Sequence, residues 1–86
     1  MFIYLYFTND LACPRHEIEK ALEEAFEGSG EICGAGTGAD GCNVDLEVFD
    51  DNEESKALAI IGRVLGELGV PESITRIQVA HHDFEE

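Results

Sequence analysis

The chain is short of positive charge. Five Lys and Arg stand against nineteen Asp and Glu, so with neutral His the formal charge is 5 − 19 = −14. Nucleic acid and anionic lipid both need clustered cations that displace counterions, so no nucleic acid and no membrane surface is expected as a partner. Long apolar runs are missing too, since no stretch approaches the ~18 residues of a membrane span. The apolar start, Phe2 to Phe7, has no basic residue before it and no small-residue cleavage site after it. It reads as a strand rather than a signal peptide, and cytoplasmic residence is the expectation. Cysteine is sparse and odd in number, at positions 13, 33 and 42. Three thiols fit a reduced protein better than a secreted disulfide framework. They contain no C-x-x-C pair, which weakens redox catalysis.

Eighty-six residues with 44% apolar content are enough for one core and too apolar for a disordered acidic tail. One domain over 1–86 is expected, with 81–86 (HHDFEE) as a frayed acidic tail. The bland reading of the surplus acid is solubility. The sharper one is attraction of a basic partner.

Residues 2–8 (FIYLYFT) are apolar without strict alternation, as in a strand from the middle of a sheet. Pro14 suits the first position of a helix, and Ile18, Ala21, Leu22, Ala25 and Phe26 then form one stripe, ended by Gly28. Glu31 to Cys33 is a short strand candidate. Residues 34–41 (GAGTGADG) read as a glycine-rich loop carrying Gly34, Gly36, Gly38 and Gly41. From Asn43 the chain alternates, with Val44, Leu46 and Val48 on one side and Asn43, Asp45 and Glu47 on the other. Asp51 and Glu54 have capping-box spacing for a second helix. Its apolar face is Ala57, Leu58, Ile61, Val64, Leu65 and Leu68, and Gly69 and Pro71 close it. Ile74 to Ala80 is the last strand, with Arg76 and Gln78 opposite in parity to Ile77 and Val79.

The order β-α-β-β-α-β with right-handed crossovers predicts an α+β, ferredoxin-like split βαβ fold. Its four antiparallel strands would be ordered 4-1-3-2, with both helices on one face. A thioredoxin-like fold is the alternative, because Cys13-Pro14 stands at a helix start after the first strand.

This topology predicts that Cys13, His16, Cys33, Cys42 and the glycine loop gather at one end of the sheet. Three readings compete there. The glycines and thiols may be read as structural, filling a tight loop and small apolar gaps. Alternatively, three thiolates and an imidazole make a zinc set, although strand parity sends Cys33 and Cys42 to opposite faces unless a bulge intervenes. In the third reading Cys13 is an N-cap thiol activated by helix N–H groups and Arg15. At the other end the acids at 50–54 meet His81 and His82. They read as helix-start acids and solvated histidines, with a weak divalent-metal site as the alternative. No catalytic constellation is legible and no cofactor is implied.

The open face of the sheet is more informative. Tyr4 and Tyr6 would stand beside Asp45 and Glu47 on one flank and Arg76 and Gln78 on the other, with Asp40 in the nearby loop. Aromatics ringed by acid suit a basic protein partner, or a homodimer packed sheet to sheet. The chain also resembles a loose group of small acidic bacterial proteins with a ferredoxin-like fold. The resemblance is carried by GEICGAGTGADGCNVDLEV, with its glycine-rich hairpin and N-x-D-x-E strand, and by the helix ending ELGVPESITRIQV. Some of that group are immunity-like proteins that neutralise a toxin, which implies a non-enzymatic binding protein with Asp45 and Glu47 at matching positions. A small-ligand or zinc module and a thiol enzyme at Cys13 are the rival classes.

Overall fold

The computed structural model describes residues 1–81. Strand β1 (Phe2–Phe7) leads to helix α1 (Arg15–Phe26), then to the hairpin β2 (Gly30–Gly38) and β3 (Gly41–Val48). Helix α2 (Glu54–Glu67) and strand β4 (Thr75–Ala80) follow, each preceded by a short 3-10 turn. The fold is α+β: one open four-stranded sheet and two helices. The strand order is β2-β3-β1-β4, which counted from the β4 edge is 4-1-3-2. Every pairing is antiparallel. A thioredoxin-like sheet requires parallel neighbours, so that alternative is excluded.

β1 is central because it is hydrogen-bonded on both sides, to β3 through Leu5↔Val44 and to β4 through Leu5↔Ile77. Its apolarity splits by parity. Ile3, Leu5 and Phe7 are buried, and Val44, Leu46 and Val48 of β3 join them. Above them sit Ile18, Leu22 and Phe26 of α1 and Ala57, Ile61, Val64 and Leu65 of α2. All belong to one cluster, so both helices cover one face of the sheet. The i, i+4, i+8 spacing of Ile18, Leu22 and Phe26 places these side chains on one helix stripe, which is why α1 can lie flat on the sheet. No polar or charged residue is buried among the described residues. The hydrophobic effect therefore carries the core, and the Met1 ammonium beside it is held by the Val48 carbonyl and the part-exposed Asp51 carboxylate.

Three local expectations are corrected. The glycine-rich stretch is not a loop. Gly34, Gly36 and Gly38 lie in β2 and Gly41 opens β3, so the connection shrinks to Ala39 and Asp40. Propensity disfavours glycine in a strand, but ladder pairing with β3 overrides it. Gly36 pairs with Asn43, and Gly38 with Gly41. Second, α1 begins at Arg15, with Pro14 as an extended N-cap residue. Cys13 is thus one residue outside the cap. Third, Asp51 does not cap α2. It lies in a 3-10 turn, and its carboxylate meets the Met1 ammonium group at 2.6 Å. Asp50 caps that turn instead, by accepting from the Asn52 amide at 2.9 Å. Of the tail expected over 81–86, all but His81 lies outside the described residues. His81 Nε2 is 2.7 Å from Glu54 Oε1, at the start of α2.

The turn makes one glycine indispensable. Gly41 has φ +139°, and a Cβ there would sit 1.9 Å from the Phe7 carbonyl oxygen. Gly38, on the other side of the turn, faces open space. Gly41→Ala should therefore cost about 2 kcal/mol or more, and Gly38→Ala within about 0.5 kcal/mol. Leu5→Ala, which empties the centre of the core, should cost about 3 kcal/mol. Urea unfolding measures all three, and equal midpoints for the two glycine variants would contradict the turn geometry.

Candidate functional site

The face of the sheet away from the helices has no cover among the described residues. Tyr4 and Tyr6 stand on it, as does Phe2 in the same parity. The Phe2 and Tyr4 rings are stacked, 6.3 Å between centroids and 11° between planes. Tyr6 is 40% exposed, and the Arg76 guanidinium lies 5.9 Å from its ring centroid. That is a cation–π arrangement supplied by the protein itself. Across β1 the aromatic row faces β3: Phe2 opposes Glu47, Tyr4 opposes Asp45 and Tyr6 opposes Asn43. On the β4 side Gln78 opposes Tyr4 and Arg76 opposes Tyr6. The sheet thus brings Tyr4, Tyr6, Asp45, Glu47, Arg76 and Gln78 onto one surface. Asp40, in the turn, borders the same shallow hollow as Tyr6 and Asn43.

The β2 glycines shape the acidic flank. A Cβ on Gly34 would sit 3.0 Å from Asp45 Oδ2, and one on Gly36 would sit 3.0 Å from Asn43 Oδ1. Both side chains therefore lie over bare backbone. The Asn43 amide also donates to Asp45 Oδ1 at 3.0 Å, which fixes the carboxylate in place. Further along the ladder Glu31 is directly opposite Glu47. Like charges in that relation repel each other. The thiol of Cys33 registers the resulting field. Burial pushes its pKa up first, and Asp45, Glu47 and Glu31 push it further.

The thiol cluster does not assemble. The ladder slips between Ile32 and Gly34, leaving Cys33 as a bulge. The bulge turns the exposed Cys33 toward the acids of the open face rather than toward Cys42. Cys42, opposite Phe7, packs on the edge of the core with Cys13. Burial is again the largest cause raising the Cys42 thiol, and Arg15 offsets part of it. The Arg15 guanidinium is committed elsewhere: Nε donates to Glu19 at 2.8 Å and Nη1 to Thr37 Oγ1 at 2.6 Å. His16 is exposed on α1. Among the described residues no group of three or more His, Cys, Asp or Glu is placed to hold a metal ion. No helix among them is long and apolar enough to cross a membrane.

Sequence reasoning missed Phe2, Glu31 and Phe49. Parity would have found Phe2, which alternates with Tyr4 and Tyr6. Phe49 continues the alternation of Asp45 and Glu47 beyond β3 and is 53% exposed. Glu31 needed the register of the bulged ladder, which no local pattern contains.

No family model, curated protein or solved structure matches this chain.

A raised thiol pKa means that the folded state holds its proton more tightly than the unfolded chain does. Its contribution to stability is full below the ordinary thiol pKa and is lost as pH climbs through the raised value. Cys33 should accordingly alkylate more slowly than a free thiol at mildly alkaline pH, despite its exposure. Asp45→Asn should speed that reaction. Site-resolved iodoacetamide kinetics against pH measure both, and a free-thiol rate at Cys33 would contradict the placement of the acids.

Proposed function

We propose that the chain is a non-enzymatic, acidic binding protein that recognises a basic protein partner through the open sheet face. One observation carries this reading: an aromatic row, Phe2, Tyr4 and Tyr6, lies beside an acidic row in which Glu31 and Glu47 directly oppose each other. A Lys or Arg from a partner gains twice there, by approaching neighbouring carboxylates and by lying over a ring. The Arg76 guanidinium over Tyr6 is the internal example of the second contact. The net charge of −14 adds long-range steering of a basic partner toward the protein. Aromatic anchors beside a polar rim are the usual anatomy of an interface hot spot.

In this reading the β-α-β-β-α-β order is a ferredoxin-like split βαβ, a scaffold that leaves one sheet face for recognition. Neutralising a toxin, as the immunity-like proteins it resembles do, is one such role. Nothing in the mechanism calls for a cofactor or a catalytic group. Encounter is electrostatic, and docking desolvates the tyrosines.

The test is capture of partners from a source lysate at low and high salt, with variants as controls. The captured protein should be basic and should be released by salt. The pair Asp45→Asn with Glu47→Gln should weaken binding about tenfold and flatten the salt dependence. Tyr6→Ala should cost about 1–2 kcal/mol of binding. A partner that ignores both salt and these substitutions would overturn the proposal.

A further inference from the structure

The two edges of the sheet are built differently. Edge strands present unpaired backbone groups and are normally guarded against pairing with another chain. β2 is guarded: it carries the bulge at Cys33, four glycines and Glu31. β4 has none of these devices. Its six residues, TRIQVA, contain no proline, glycine or acid, and its ladder with β1 is regular. Among the described residues no strand lies on its outer side.

The hydrogen-bond phase of β4 follows from one contact. The Thr8 amide donates to the Ile74 carbonyl at 3.1 Å, and Thr8 and Ile74 stand opposite each other just beyond the β1–β4 ladder. Antiparallel pairs alternate between bonded and non-bonded. Arg76, Gln78 and Ala80 therefore bond inward to β1, and Ile77 and Val79 direct their N–H and C=O groups outward. Ile77 is on the helix side of the sheet, opposite the fully buried Leu5, yet it is 42% exposed. It borders a groove of about 530 Å³, lined mainly by Leu58, Leu65 and Val70 with Glu72 also in its wall. An outward backbone ladder and an apolar groove thus coincide on one edge.

We propose that β4 is a self-association edge, and that its occupant is the β4 strand of a second copy. The two strands would pair antiparallel about a two-fold axis at Ile77, making one eight-stranded sheet. Charge selects this occupant. A basic partner is drawn to the acids of the open face, whereas Thr75–Ala80 itself carries no acid and one Arg. Two copies paired there set no carboxylate against another along the strand. Register follows from parity and charge. Residues directly opposite must share a face, so odd positions oppose odd ones. Pairing centred on Arg76 would set two guanidinium groups against each other. Centring on Ile77 sets Arg76 against Gln78 and brings both Ile77 side chains over the paired grooves. Such an interface is self-complementary, as two-fold symmetry requires. It uses the edge and leaves the open faces free, so it stands independently of the function proposed above.

Sedimentation velocity over a concentration series, at low and high salt, tests the proposal. The mass should rise from 9.4 kDa toward twice that value. Association should strengthen with salt, because screening relieves repulsion between two acidic chains. Binding of a basic partner should weaken with salt, so the failure of one reading is separable from the failure of the other. Ile77→Lys should raise the dimer Kd about 30-fold or more. It should leave the circular dichroism spectrum and melting temperature unchanged, since Ile77 is already exposed in the single chain. Hydrogen exchange gives a reading without mutation: the Ile77 and Val79 amides should slow as concentration rises, while the Arg76 amide should not. A wild-type chain that stays at 9.4 kDa throughout would overturn the proposal. So would a dimer that survives Ile77→Lys, or one dissolved by Tyr4→Ala alone, which would place the interface on the sheet face.

Discussion

Everything else in the molecule depends on the burial of one side of β1. Ile3, Leu5 and Phe7 are closed off below by their own sheet and above by both helices. Because β1 is bonded to a strand on each side, its register sets that of β3 and β4 together. A slip of one residue would expose all three side chains at once, so parity is held by the whole core. The same constraint pushes Phe2, Tyr4 and Tyr6 to the opposite face. Aromatic residues on the open side are thus a geometric consequence of the apolar ones inside. What is not a consequence is the company they keep. Nothing in the core demands Glu31 opposite Glu47, or an Asp45 carboxylate laid over Gly34.

That distinction separates the acids with a local structural partner from those gathered on the open face. Many of the carboxylates among the described residues have local reasons. Those on the outer face of α1 solvate a helix, and Glu19 holds Arg15. Asp51 meets the Met1 ammonium, Glu53 lies 3.6 Å from Lys56, and Glu54 meets His81. The open-face acids differ because folding places them against one another. This acidic surface, next to the exposed aromatic rings, is the one the proposed recognition would use.

The helices were legible because a 3.6-residue stripe is a local pattern: Ile18, Leu22 and Phe26 needed no knowledge of the sheet. The alternation of Val44, Leu46 and Val48 was legible for the same reason, and with it the outward placement of Asp45 and Glu47. The glycine stretch was not. Its residues have the composition of a loop, and only pairing with Cys42, Asn43 and Asp45 on the next strand makes it a strand. The Cys33 bulge is of the same kind. A slip in a ladder leaves no mark on either strand read alone, so the separation of Cys33 from Cys42 could be suspected from parity but not located. The Asp51 cap failed because a nonlocal partner, the Met1 ammonium, competes for its carboxylate.

By itself the sequence determined the order of the parts: six elements in β-α-β-β-α-β order, and which side of each helix and of β3 is apolar. These depend on composition and on periods of two and 3.6 residues, which are complete within a few turns of chain. Tertiary structure alone decided that the glycine segment pairs, that Glu31 faces Glu47, that the thiols divide between two faces, and that Ile77 is left uncovered at an open edge. Each of these is a relation between segments far apart in the chain. Their energies exist only once register and neighbours are in place.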